Sequence, residues 1–270
     1  GGAGYIGSHM VYALLDKGFK VHVIDNLSTG NVSILPSNIG FTECDIQNTE
    51  TISNLINKKK FSAVVHFAAS ISVYESTQKP MKYFKNNISN SIVFFDNCLK
   101  NNLKNFLFSS TAAVYGNPKV KIISENQFKN PINIYGETKL IVEKILQSLS
   151  SVHNINYGIL RYFNVAGADP KKRTGQLTDN ATHLIKVACE TALGYRPKME
   201  IYGNDYNTND GTAIRDFIHV TDLIEAHILL LSKMIKSNKS FVFNCGYGKG
   251  YSVQEVINSV KKISKNDFKT

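Results

Sequence analysis

Short runs of β-branched and aromatic residues recur along the chain: Lys20 to Asp25, Gly40 to Asp45, Ala63 to Phe67, Asn105 to Ser109 and Tyr157 to Tyr162. Helix-length segments separate them. A run such as Val64-Val65-His66-Phe67 offers no polar face, so a strand built from it must be covered on both sides. Strands covered on both sides and alternating with helices make βαβ units. The expected fold is therefore α/β, a doubly wound parallel sheet. After Asn164 the alternation gives way to polar, Gly- and Asp-rich stretches (Gly167 to Asn180, Gly203 to Gly211) around one helical piece, Thr182 to Leu193. These predict a smaller α/β substrate lobe. The expected division is 1–165 and 213–247 for the sheet domain, and 166–212 and 248–270 for the lobe.

The chain opens on Gly1-x-x-Gly4-x-x-Gly7, followed by a helical pattern in Ile6, Met10 and Leu14 and by a strand ending in Asp25. Glycines at this spacing let backbone N–H groups approach a pyrophosphate, and the helix N-terminus adds partial positive charge. An acid about 20 residues on is placed for the ribose hydroxyls. The pattern predicts a Rossmann dinucleotide site, and Asp25 favours NAD because a carboxylate repels a 2′-phosphate. Asp45, ending the next strand, is a candidate for the adenine amino group. In such folds a strand precedes the glycine loop, whereas here the loop comes first. The other end stops soon after an amphipathic pattern, Val253, Val256, Ile257 and Val260. The expectation is a chain without the fold's first strand and C-terminal end, in which the strands ending at Asp25 and Phe67 flank Gly1 and do not pair directly.

Composition narrows the class. With 43% hydrophobic and 19% charged residues in 270, a sizeable core is expected. No apolar stretch approaches the roughly 20 residues that span a bilayer, so a cytoplasmic protein without a membrane partner is expected. Cys44, Cys98, Cys189 and Cys245 are far apart and lack metal-ligand spacing, which predicts free thiols and no metal site. The formal charge of +10 comes from scattered lysines, a solvated surface in preference to a nucleic-acid site. Arginines occur only at 161, 173, 196 and 215, and their planar fork suits phosphate.

Three hydroxyl- and charge-bearing segments fall where strands end. Ser109-Ser110-Thr111 closes one strand, Tyr135-Gly136-Glu137-Thr138-Lys139 opens a helix, and Arg161-Tyr162-Phe163-Asn164 follows another strand. Open parallel sheets bind ligands at these ends. Tyr135 and Lys139, four apart, share one helix face. His66, inside an apolar strand, reads as a core histidine, and Arg215-Asp216 reads partly as a structural ion pair.

Together with GGAGYIGSH, IDNLSTGN, HFAA, ESTQKP, FSSTAAVYG, YGETK, LRYFNVAGA, THLI and GNDYNTNDGTAIRDFIHV, these segments resemble the extended short-chain dehydrogenases, and within them the UDP-galactose 4-epimerases. The resemblance implies NAD as cofactor and a UDP-hexose as substrate, epimerised through a transient 4-keto sugar. It implies Tyr135 as base, Lys139 as its partner and Thr111 as hydroxyl relay. It places Gly1, Gly4, Tyr5, Ile6, Gly7, Asp25, Asn26, Asp45, Ile46, Phe67, Ala68, Ala69, Asn86, Ser109 and Tyr162 with Tyr135 and Lys139 around the cofactor. Asn164, Asn180, Tyr202 and Arg215, with Thr111 and Tyr135, would contact the UDP-sugar. It also implies a homodimer through Pro80 to Asn101 and Ile134 to Ser150. Dehydratases typically carry an Asp-Glu pair after the strand-end hydroxyl, whereas Thr111 precedes Ala112-Ala113, which disfavours dehydration. Another nucleotide-sugar epimerase remains an alternative. A non-catalytic dinucleotide sensor is the other, opposed by the presence of both Tyr135 and Lys139.

Overall fold

The computed structural model describes residues 1–178 and 181–270. Helix α1 (Tyr5–Asp16) leads to β1 (His22–Asp25) and β2 (Gly40–Glu43), then α2 (Thr49–Lys59) and β3 (Val64–His66). A short α3 (Val73–Gln78) and α4 (Pro80–Tyr83) run through a π-helical turn, Phe84–Ser89, into α5 (Asn90–Lys100). The main alternation continues with β4 (Asn105–Thr111), α6 (Ile134–Val152) and β5 (Asn156–Tyr162). Beyond lie β6 (Asn164–Ala166), α7 (Leu184–Ala192), β7 (Ile214–His219), α8 (Val220–Ser237), β8 (Phe241–Cys245), β9 (Gly250–Ser252) and α9 (Val253–Ser264).

The strands β3, β4, β5 and β8 pair in parallel in that order, with Phe106 opposite Tyr157 and Ser110 opposite Arg161. Burial of β4 on both faces follows from its sequence. Phe106 and Phe108 enter one core with Phe95, Val142 and Leu146, while Leu107 between them enters the other with Leu160, Ile224 and Ile228. Each fully buried side chain of this size contributes about 1.5–3 kcal/mol. Helix α8 builds the second core because Val220, Leu223, Ile224, Ile228, Leu231 and Met234 fall on one stripe. Helix α9 starts at a reciprocal cap in which Ser252 and Glu255 each satisfy the other's backbone N–H.

Strands β1 and β2 form a separate parallel pair, and β1 does not pair with β3. Gly1 lies between them, its nitrogen donating to the Ile24 carbonyl at 2.6 Å. A Cβ on Gly1 would collide with the Ala68 nitrogen and stand 2.7 Å from the Phe67 carbonyl carbon. The expected flanking of Gly1 by these strands is thus present. Strands β6, β7 and β9, which lie outside the polar stretches, form a further small sheet in which β7 runs antiparallel to β9. A satellite core of Ala188, Ala192, Met199, Ile257 and Phe268 joins α7 to α9. Among the described residues no helix is long and apolar enough to cross a membrane, and no metal-ligand cluster occurs.

Candidate active site

The glycine loop delivers Gly4 to the start of α1 as its cap, with no side-chain hydrogen bond and no acid in the first turn. Free first-turn N–H groups are a ready anion site. A Cβ on Gly4 would meet only the Gly1 oxygen at 3.5 Å, so glycine leaves an open cradle before the helix. A Cβ on Gly7 would run into the Gly1 oxygen and stand 2.8 Å from the Gly2 Cα. That closeness packs loop against helix. These features fit a pyrophosphate.

Asp25 is buried, and its carboxylate accepts from Ala3 N and Leu27 N at 2.9 Å each. It therefore braces the glycine loop as well as standing where a ribose is expected. Asn26 donates to Asp45 at 2.9 Å, and Asp45 also accepts from Gln47 N. Ile46 packs on the core at α2, α5 and α6, and Ile6 and Phe67 pack on the opposite core. Ala68 and Ala69 stay half-buried beside Gly1. Asn86 reaches Ser70 Oγ at 3.1 Å. The Tyr5 hydroxyl turns the other way and donates to the Gly167 carbonyl at 2.6 Å.

At the C-terminal end of β4, successive residues engage one face of α6. The Ser109 carbonyl accepts from Lys139 Nζ at 2.9 Å, the Ser110 hydroxyl donates to Glu143, and the Thr111 hydroxyl accepts from Ala113 N at 3.1 Å. Asn133 sets the start of α6 by accepting from Gly136 N at 2.8 Å. Tyr135 and Lys139 are 9% and 3% exposed, and the ammonium lies 4.8 Å from the Phe108 ring centre and 5.9 Å from that of Tyr135. Burial pushes the Tyr135 phenol above its ordinary range. Burial draws Lys139 down to about 7, opposed by the charge of Glu143. The Ser109 hydroxyl bonds Tyr162 at 2.6 Å, and burial raises Tyr162 to about 12.

His66 is buried among Phe94, Phe95 and Phe108 and shares a 3.0 Å hydrogen bond with Ser91. Burial and then Lys139 lower its pKa to about 3. It is a neutral core residue, as expected.

Asn164 and Arg215 lie on neighbouring strands of the small sheet, both exposed, with Asn164 opposite Phe217 and donating to the Asp216 carbonyl at 3.0 Å. The expected Arg215–Asp216 ion pair does not form. Arg215 donates to the Ile214 carbonyl, while the Asp216 carboxylate accepts from Tyr247 N and Gly248 N. Tyr202 is 84% exposed and lies 3.4 Å from Glu200 Oε2. Asn180 falls outside the described residues.

The other arginines are committed to carboxylates: Arg161 to Glu143, Arg173 to Asp16 and Asp169, and Arg196 to Glu190. The expectation that arginines near motifs serve phosphate fails for Arg161, whose 2% exposure excludes a ligand. Sequence reasoning also missed Glu143. Its signal was the spacing Tyr135, Lys139, Glu143, which puts all three on one helix face.

A dinucleotide cradle at one end of a parallel sheet, with a buried Tyr–Lys pair at the adjoining strand ends, defines an enzyme of the dinucleotide-dependent α/β class. The chain belongs to the NAD dependent epimerase/dehydratase family, whose model matches residues 1–246. It is 48% identical over 264 residues to a UDP-glucose 4-epimerase of Azospirillum brasilense, covering 98% of this chain and 76% of the relative. A crystal structure of UDP-glucose 4-epimerase from Brucella ovis in complex with NAD superimposes with a TM-score of 0.94 at 41% identity, covering 97% of this chain and 80% of that one. The UDP-Glc/GlcNAc 4-epimerase of Campylobacter jejuni matches with a TM-score of 0.84 at 46% identity, over 100% and 83% of the two chains.

Proposed function

We propose that this chain is a UDP-hexose 4-epimerase that interconverts UDP-glucose and UDP-galactose, with NAD held by the glycine loop and Asp25. The observation that supports it best is the buried pair of Tyr135 and Lys139, with the ammonium held by the Ser109 carbonyl at 2.9 Å and 5.9 Å from the Tyr135 ring centre. When bound, NAD supplies a reversible hydride acceptor and a positive charge. Tyr135 takes the proton of the sugar 4-hydroxyl, directly or through Thr111, and returns it to the opposite epimer. Lys139, anchored by the Ser109 carbonyl, stabilises the phenolate with its charge. An ordinary tyrosine, pKa about 10, is about one part in a thousand phenolate at neutral pH, and burial raises that barrier further. The phenolate therefore depends on nearby positive charge.

Arg215 and Asn164 hold the UDP phosphates while the 4-keto sugar turns. Arg215 suits that role because it is exposed and no carboxylate pairs with it among the described residues. Asn180 and Tyr202 complete the substrate set in this reading, with 1–165 and 213–247 as cofactor domain and 166–212 and 248–270 as substrate lobe. The similarity to the Campylobacter jejuni enzyme extends the candidates to N-acetylated sugars.

Two copies associate through Pro80 to Asn101 and Ile134 to Ser150. Exposed Met81, Ile92 and Val93 on that surface support this. A cytoplasmic setting agrees with four free cysteines among the described residues. The test is to incubate the purified protein with UDP-galactose, and separately with UDP-N-acetylgalactosamine, and follow the 4-epimers by NMR. No conversion of either would refute the proposal.

A further inference from the structure

We propose that Glu143 is a positioning residue for the epimerisation, fixing through Ser110 and Arg161 the strand end that seats Lys139. The proposal rests on the reading of Tyr135 as base and Lys139 as its partner. Glu143 is 0% exposed, and a carboxylate in such a place costs several kcal/mol unless it is fully paired. Its pairing is complete. Arg161 Nε approaches Oε1 at 2.9 Å and Oε2 at 3.1 Å, Nη2 approaches Oε2 at 2.6 Å, and Ser110 donates to Oε1. Arg161 is in turn held by the Tyr115 hydroxyl at 2.8 Å, and Tyr115 donates to Asn244 at 2.6 Å. A hydrophobic pair of the same volume would often stabilise a core as well as this one. Stability alone is therefore a weak reason for the pair.

Geometry supplies a better reason. Tyr135, Lys139 and Glu143 occupy successive turns of one face of α6, and the last two meet adjacent residues of β4, Lys139 the Ser109 carbonyl and Glu143 the Ser110 hydroxyl. Glu143 is thus the rear anchor of the strip that carries the base and its partner. Its negative charge is also the main influence opposing the burial that draws Lys139 down. Other groups facing this strip are His66 from β3, neutral at pKa about 3, and Tyr162 from β5, raised to about 12. Tyr83 from α4 faces Tyr135 and is also raised to about 12 by burial. None of these adds charge near pH 8. Arg161 on β5 and the Gly1 ammonium are the further charged neighbours, and the Arg161 guanidinium, paired with Glu143, works against that carboxylate's charge.

The sign of the effect can be reversed by choice of partner. Glu143→Gln removes the negative charge, and the alkaline limb of the kcat profile on UDP-galactose should move down by about one pH unit or more. Arg161→Met leaves the carboxylate uncancelled, and the limb should move up. Glu143→Gln with Arg161→Met leaves no buried unpaired ion, and its limb should again move down. A purely structural role would lower kcat or melting temperature without opposite displacements. If either single variant fails to fold, the double variant decides. A folded double variant with a wild-type limb, or single variants whose limbs move the same way, would overturn the proposal. Tyr135→Phe is run alongside: high activity there refutes the underlying assignment of the base, while its inactivity with unmoved limbs refutes the role of Glu143 alone.

Discussion

Ser109 and Lys139, 30 residues apart in sequence, meet where the buried ammonium donates to the strand-end carbonyl at 2.9 Å. This bond fixes the amine below Tyr135 before any ligand arrives. In the proposed mechanism, replacing Lys139 with Met removes the charge that stabilises the phenolate. The expected outcome is weaker NAD binding and turnover reduced by about two orders of magnitude or more. Titration calorimetry and initial rates measure both, and retention of both would exclude Lys139 from the mechanism.

Tyr135→Phe deletes one hydroxyl and leaves the ring in its packing. The variant should fold and bind NAD and UDP-sugar like the parent while losing about 10²- to 10⁴-fold in kcat. Near-parental turnover would remove Tyr135 as base.

Asp25 braces the glycine loop and is the proposed ribose ligand, so its variants bear on both roles. Asp25→Asn keeps one acceptor for the Ala3 and Leu27 N–H groups, whereas Asp25→Ala removes both acceptors, at about 1–3 kcal/mol for the buried Ala3 donor. Both variants should lose discrimination against NADP, and Asp25→Ala should also melt lower. Equal affinity of the parent for NAD and NADP would contradict the ribose assignment.

The lowered Lys139 pKa has a consequence for stability. In the unfolded chain lysine titrates near 10.4, whereas in the fold it titrates near 7, so between these values the unfolded state binds more protons. Its contribution is fully present above the unfolded value and is lost as pH falls through about 7. Relative to Lys139→Met, the parent should therefore gain stability as pH rises across that window, by at most about 1.4 kcal/mol per pH unit. Urea melts at pH 7 and pH 9.5 measure it. A constant difference would show that the buried amine does not titrate there.

Gly7→Ala tests the cofactor cradle. A Cβ there strikes the Gly1 carbonyl, so the loop and α1 must part. NAD affinity should fall by more than about tenfold, equivalent to about 1.4 kcal/mol, and unchanged affinity in fluorescence titration would show that loop and helix need not stay in contact.

Much of the arrangement was determined by the sequence itself, because local pattern fixes local structure. Apolar runs set β1 to β5, the glycine spacing set the start of α1, and the i,i+4 spacing set Tyr135 and Lys139 on one face. Tertiary structure decided which charges are spent on one another. Arg161 and Arg215 both stand at strand ends, yet Arg161 is buried against Glu143, and Arg215 lies exposed with the Ile214 carbonyl as its one partner among the described residues. Nor could sequence show that Asp216 would turn from Arg215 to the Tyr247 and Gly248 N–H groups, or that Tyr5 would reach Gly167. The short strands β6, β7 and β9 likewise take their identity from one another, since β7 alternates no clear apolar face and is held by pairing. The physical reason is range. Side-chain periodicity acts over a few residues, whereas the partner of a buried charge or an edge strand is chosen by the packing of segments far apart in the chain, and the cost of leaving either unpaired is imposed only once water is excluded.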